Sequence, residues 1–312
     1  MKRIVLAVAL LTASWPAAGM QGGDEESLMN AQPVCELALR APASVYFRGA
    51  RSRGYEVFSN ARHQEPLQIQ VEHRGAPCSW SLTVGSATGP SHPALEGPGG
   101  GRLDYEVREN PNGENLLTAD FSAFGATALT GAFGEGGQAE TLTLFIEIPP
   151  GQIAPAGAYQ DALTFRLFRD NTGFDLADER GVMVTADVPA ALQAAIGRSL
   201  GTGLVHTDVD LGQLRSGLRR TLGFTVRANT EVNIAFASAN GGRLKHDRSP
   251  ASIPYSIVFR GETFSPEEGV QFSHAASPQP ETQEFDLLIG EIPGGGLAGS
   301  YADTLTVTIT PA

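Results

Sequence analysis

The residues able to do chemistry are few, and their spacing suits little of it. The six histidines, His63, His73, His92, His206, His246 and His274, are scattered, and no two stand in a metal-ligating pattern such as His-x-x-x-His. Gly99-Gly100-Gly101 and Gly294-Gly295-Gly296 read as turns between strands rather than cradles for phosphate. Asp161 and Asp303 occupy matching places in a repeated phrase, which duplication explains without catalysis. Each is expected to accept backbone hydrogen bonds where a strand begins. Cys35 and Cys78 are the only cysteines, and only His73 lies near Cys78 as a further ligand, so a disulfide is expected and a metal site is not. This inventory predicts a protein that is not an enzyme and carries no cofactor.

The amino terminus sets the compartment. Met1-Lys2-Arg3 is positive, Ile4 to Ala13 is apolar, and Ala17-Ala18-Gly19 offers small residues for cleavage, so residues 1–19 are expected to be a signal peptide. The apolar run falls short of the about 20 residues that span a bilayer, and no membrane span is expected. An exported chain with an even number of cysteines normally oxidises them. Closing the loop between Cys35 and Cys78 contributes about 4 kcal/mol on the chain-entropy model. About 290 residues remain, enough for two domains. Of the 22 basic residues Lys2 and Arg3 leave with the signal, so 20 face 34 acidic ones, a net charge of −14. Such a surface argues against nucleic acid and anionic membrane as partners.

The elements that position these residues are short strands. From Ser300 to Thr310 the chain alternates: Tyr301, Asp303, Leu305, Val307 and Ile309 on one face, Ala302 and four threonines on the other. The phrase has an internal copy in Gly157, Tyr159, Asp161, Leu163 and Phe165. Residues 20–33 are polar and acidic, with no alternating apolar run. Further strands are predicted in the first half at Cys35–Leu39, Val45–Phe47, Tyr55–Phe58, Leu67–Glu72, Ser79–Val84, Leu103–Arg108 and Thr141–Ile148. The second half repeats the series. Val182–Val188 alternates and either starts the second half or closes the first, Val205–Leu211 follows, Thr221–Arg227 matches Pro66–Glu72, Val232–Phe236 matches Cys78–Leu82, and Tyr255 matches Tyr105. Glu284–Pro293 matches Glu140–Pro149 through a shared Glu-Ile-Pro. Landmarks in one order predict a duplicated domain. The fold class is all-β, two tandem antiparallel β-sandwiches. Ala190–Gly201 has a weak helical signal. The charged stretch 170–181 is expected to be the junction, giving domains 20–180 and 181–312.

The repeated ending Gly-x-Tyr-x-Asp-x-Leu, after an apolar strand ending in Glu-Ile-Pro, resembles the spore coat protein U domain family. That family includes the Csu-type subunits of archaic chaperone–usher pili. Gly299, Tyr301, Asp303, Leu305 and Val307 carry the match in the second half, and Gly157, Tyr159, Asp161 and Leu163 in the first. Tyr255 to Arg260 also resembles the family's central strand. The resemblance implies immunoglobulin-like sandwiches, the C-terminal one lacking its last strand. Without that strand, N–H and C=O groups stay unpaired beside an apolar groove along Tyr301, Leu305, Val307 and Ile309. The next pilin subunit would donate a segment to fill it by strand addition, after a periplasmic chaperone had occupied the groove and an outer-membrane usher had taken over the complex. Three or four buried aliphatic side chains contribute roughly 6–10 kcal/mol, at about 1.5–3 each. Two domains behind a leading segment unable to donate resemble the two-domain tip subunit, an adhesin at the cell surface. The second half has no cysteine, a departure that confines any disulfide to the first domain.

The best binding candidate is the stretch Asn115 to Gly137, where Phe121, Phe124, Leu129 and Phe133 stand among Gly, Ala and Thr. Exposed together they would form an apolar patch of the kind that marks contacts; on core strands they would be ordinary packing. The Gly- and Pro-rich loop 85–101, with Leu95, is a weaker second candidate. Competing readings are an adaptor or shaft pilin, a surface coat protein, and a secreted carbohydrate-binding sandwich.

Overall fold

The computed structural model describes residues 34–88, 93–117, 127–169, 173–196, 200–267, 269–292, 294 and 297–312. The expected signal peptide and the lead-in to residue 33 lie outside them. Period-two sequence becomes period-two burial. Leu67, Ile69 and Val71 are buried while Pro66 and Gln68 face out. No helix among the described residues is long and apolar enough to cross a membrane.

The first sandwich is built from β1 (Glu36–Arg40), β2 (Ser44–Phe47), β3 (Gln64–Arg74), β4 (Cys78–Ser86), β5 (Ala94–Glu96), β6 (Arg102–Asp104), β7 (Glu106–Arg108), β8 (Leu129–Phe133), β9 (Gln138–Glu147), β10 (Gly157–Arg169) and β11 (Asp175–Val188). One sheet runs β1-β3-β9-β7, and the other β2-β11-β10-β4-β8, with β5 added to β10 and β6 to β5. These pairings are antiparallel except β2 on β11, which is parallel. Trp80, Tyr105, Ile146, Leu163 and Phe165 fill the space between the sheets. A disulfide joins Cys35 to Cys78, with their Cα atoms 6.1 Å apart.

The expected junction falls inside a strand. β11 pairs with β10 from Gly157↔Val188 to Arg169↔Asp175, and Val182, Val184, Ala186 and Val188 belong to the first core. The charges that read as a linker lie on the hairpin instead, where Arg169 bonds Asp175 at 2.8 Å and Arg166 bonds Glu179 at 2.6 Å.

The second sandwich is built from β12 (Leu192–Ala195), β13 (Arg219–Ala228), β14 (Val232–Ser238), β15 (Arg243–His246), β16 (Ser252–Phe259), β17 (Glu262–Phe264), β18 (Gln271–His274), β19 (Ser277–Ile289), β20 (Tyr301–Ala302) and β21 (Leu305–Pro311). Its sheets run β12-β13-β19-β16-β15-β20, with β17 on β16, and β18-β14-β21. The weak helical signal at Ala190–Gly201 resolves as β12. The core is aromatic: Phe236 meets Phe259 at 5.2 Å, Phe285 at 5.3 Å and Phe264 at 5.6 Å between centroids.

The sandwiches meet at Asn229, which is buried. Its Oδ1 accepts the Ala191 N–H at 2.7 Å, and its Nδ2 donates to Pro189 O at 3.0 Å and Ala154 O at 3.2 Å. Arg227 lies 4.3 Å over the ring of Phe58.

Candidate functional site

The repeated phrase builds one polar node twice. Asp161 Oδ2 accepts the hydroxyls of Ser86 at 2.5 Å and Tyr105 at 2.6 Å; Asp303 Oδ2 accepts those of Ser238 at 2.5 Å and Tyr255 at 2.6 Å. Asp303 also takes the Thr304 N–H at 2.8 Å, a backbone bond of the expected kind, but the hydroxyl pair is what the copies share. Burial, and then the bond to the carboxylate, push the Tyr105 and Tyr255 phenols well above the ordinary range, so both stay protonated donors. Tyr159 and Tyr301 each donate to a carbonyl four residues upstream, Pro155 O at 2.9 Å and Leu297 O at 3.0 Å. This is the tyrosine corner of immunoglobulin-like sandwiches. A Cβ on Gly157 would strike Pro98, and one on Gly299 would strike His246, which explains both glycines.

Around the node the copies differ. β10 lies between β4 and β11, whereas β21 pairs with β14 on one side and with no described strand on the other. Tyr159, Asp161, Leu163, Phe165 and Leu167 are 0–4% exposed. Their counterparts Tyr301, Asp303, Leu305, Val307 and Ile309 also turn inward, yet each is only half-buried. Tyr301, Leu305, Val307 and Ile309 pack onto the second core from one side. One expected strand is not formed. In the first sandwich β2 follows β1 and pairs with β11. After β12, the expected strand Val205–Leu211 has no pairing, and Val205 and Val209 are exposed.

No protein-family model matches the chain, and neither does any curated protein. Among solved structures, the chain is similar to the CsuC–CsuE chaperone–tip adhesion subunit pre-assembly complex from the archaic chaperone–usher Csu pili of Acinetobacter baumannii. The identity is 14% over 87% of this chain and 99% of that chain, with a TM-score of 0.43. It is also similar to the CupB6 tip adhesin of Pseudomonas aeruginosa, at 11% identity over 89% of this chain and 95% of that chain, TM-score 0.41. A third is CfaE, the adhesive subunit of CFA/I fimbria of enterotoxigenic Escherichia coli, at 12% identity over 88% and 81%, TM-score 0.36.

Of the expected adhesive residues, the structure describes Leu129 and Phe133. Leu129 and Phe133 lie on β8, opposite Leu82 and Cys78 of β4. Phe133 is buried, stacked on His73 at 5.1 Å and tilted against Trp80 at 6.3 Å, and Leu129 packs on the first core. Pairing with β4 turns both inward, so neither joins an exposed patch. Phe121 and Phe124 lie outside the described residues. Leu95 is buried on β5 rather than displayed on a loop. Sequence reasoning missed Phe174, 93% exposed, and Leu176, 47% exposed, where β11 begins, at the end opposite the second sandwich. The available signal was an aromatic residue inside a charged turn.

One string could suggest hydrolysis. Gly197 to Gly201 spells Gly-x-Ser-x-Gly, but that elbow needs a strand passing directly into a helix. Here Ala194 and Gly201 bond each other in an isolated antiparallel bridge, and Gly197 to Ser199 lie outside the described residues.

Proposed function

We propose that this chain is an exported pilus tip subunit, an adhesin, whose C-terminal domain accepts a strand from the next pilin subunit during chaperone–usher assembly. One observation carries the reading: the same strand phrase is enclosed on both sides in the first sandwich and, among the described residues, paired on one side alone in the second. An open edge over apolar surface is a template for another chain, and strand addition fills it. A periplasmic chaperone covers the edge first and an outer-membrane usher receives the complex. The first sandwich, completed by β11, faces outward, with the domain junction at Pro189 and with Phe121, Phe124, Phe174 and Leu176 as its apolar contact candidates.

β11 also supplies the pattern of the donor. Val182, Val184, Ala186 and Val188 stand opposite Leu163, Asp161, Tyr159 and Gly157. A donor antiparallel to β21 would set aliphatic side chains opposite Leu305, Asp303 and Gly299, and a small one opposite Tyr301. It would run parallel to Val205–Leu211, as β11 does to β2. Burying three valines contributes roughly 5–9 kcal/mol before the cost of ordering the donor.

The test uses a peptide with the chain's own sequence from Val182 to Val188, added in trans to the purified mature protein. One peptide should bind per chain, raise its melting temperature and suppress its aggregation, and the peptide bearing Val184→Asp should do none of these. A stable monomer that ignores every alternating aliphatic peptide would remove the acceptor role. Gold labelling at the fibre end supports the tip position, and labelling along the fibre would instead favour a shaft subunit.

A further inference from the structure

We propose that Cys35, Cys78 and His73 form a binding site for a zinc-class cation whenever the bridge between the two cysteines is open. The two sulfurs and a ring nitrogen of His73 all lie within 4.8 Å of one another. His73 is 1% exposed and its ring is held flat against Phe133. Its Nε2 lies 2.7 Å from Ala76 O. A carbonyl only accepts, so Nε2 carries the proton and Nδ1 presents its lone pair. That Nδ1 is buried and has no hydrogen-bond partner among the described residues. An imidazole with one nitrogen pinned to a carbonyl and the other unprotonated is already in a tautomer that metal binding requires.

The strands hold the three ligands in place before any cation arrives. Cys35 immediately precedes β1, His73 stands on β3 opposite Leu37, and Cys78 opens β4 opposite Phe133. Both cysteines are half-buried, so solvent can reach them. Opening the bridge needs a reductant. With a phosphine and water, the disulfide gains two electrons and two protons to give two thiols, and the phosphine becomes its oxide. Zinc then displaces both thiol protons, forming two Zn–S bonds and one Zn–N bond to His73 Nδ1, with water completing a tetrahedron. Two thiolates select soft d10 cations over magnesium or calcium. The same sulfurs serve bridge and metal, so the two states exclude each other.

The experiment is an oxygen-free titration of the phosphine-reduced mature chain with Co(II), a spectroscopic stand-in for zinc. A thiolate-to-cobalt charge-transfer band and tetrahedral d–d absorption should saturate at one equivalent. Zinc should erase both, and zinc added to metal-free reduced chain should release two protons. The oxidised chain should show neither band. His73→Gln should weaken binding by more than about tenfold, the loss that removing even an outer partner can cause, and Cys78→Ser should abolish the charge-transfer band. Where reduction or substitution loosens the fold, the reading becomes zinc-driven recovery of the β-sheet circular dichroism, expected for the unsubstituted chain and not for the variants. A reduced chain without the bands and without that recovery overturns the proposal, as does His73→Gln binding as tightly as the unsubstituted chain.

Discussion

A carboxylate that accepts two hydroxyls is hard to remove, because its loss leaves both donors without a partner. Asp161 is 4% exposed and holds Ser86 and Tyr105, so Asp161→Ala should destabilise the first sandwich by about 3 kcal/mol or more. Asp303→Ala should cost less in the free chain, since Asp303 is half-buried and water can replace its bonds to Ser238 and Tyr255. Adding the donor peptide should bring the two costs together. Chemical denaturation of each variant with and without peptide measures this, and equal costs in the free chain would mean that the second node is already closed. Repetition made the aspartates legible in the sequence. Their partners were not, because Ser86 and Tyr105 lie 75 and 56 residues away and hydroxyl side chains are common. Phe133 stays open between loop and core in the sequence for a related reason: among small residues it resembles a loop anchor, and only β4 beside it turns it inward.

Strands depend on neighbours as much as on alternation. The alternation of β10 and β21 is legible in the residues, whereas the open side of β21 is expected only through the family resemblance. Val205–Leu211 has the composition of a strand and remains without pairing, since backbone hydrogen bonds need a second chain segment. The repeat itself was read correctly in order and imperfectly in register. Leu163 pairs with Ser86 as Leu305 pairs with Ser238, so Trp80, not Cys78, corresponds to Val232. Glu106 faces Glu147 while Tyr255 faces Ile289, so Ile148 corresponds to Ile289 and the shared Glu-Ile-Pro is three residues out of step. Local similarity cannot register such offsets; ladders can. If Val205–Leu211 is the second flank, the donor peptide should slow hydrogen exchange there as well as at Leu305–Pro311. Val205→Asp with Val209→Asp should weaken peptide binding roughly tenfold, about 1.4 kcal/mol. Protection confined to Leu305–Pro311 would show that the donor gains only one neighbour.

At the scale of the molecule, the open edge and the domain joint share a turn. β13 runs into Asn229, and two residues later Glu231 O accepts the Ala312 N–H at 2.9 Å, so the end of β21 is fastened beside the joint. Force on a strand bound along β21 would pass through this turn to Asn229, and from there to Ala154 and the connector at Pro189 and Ala191. Asn229→Ala removes the side-chain bonds to Pro189, Ala191 and Ala154 without touching either core, and the Ala191 N–H and the two carbonyls lose that partner. The joint should lose about 1–3 kcal/mol. The variant should therefore unfold in two separated calorimetric transitions, and its solution scattering should show a larger radius of gyration. Arg227 on Phe58 is a second side-chain contact, beside the backbone bond from Ala156 N–H to Asn229 O at 3.3 Å, so Asn229→Ala with Arg227→Ala should widen the separation further. A double variant that still unfolds in one transition at the original temperature would mean that these two side chains do not couple the sandwiches, and that load reaches the first domain through the connector alone.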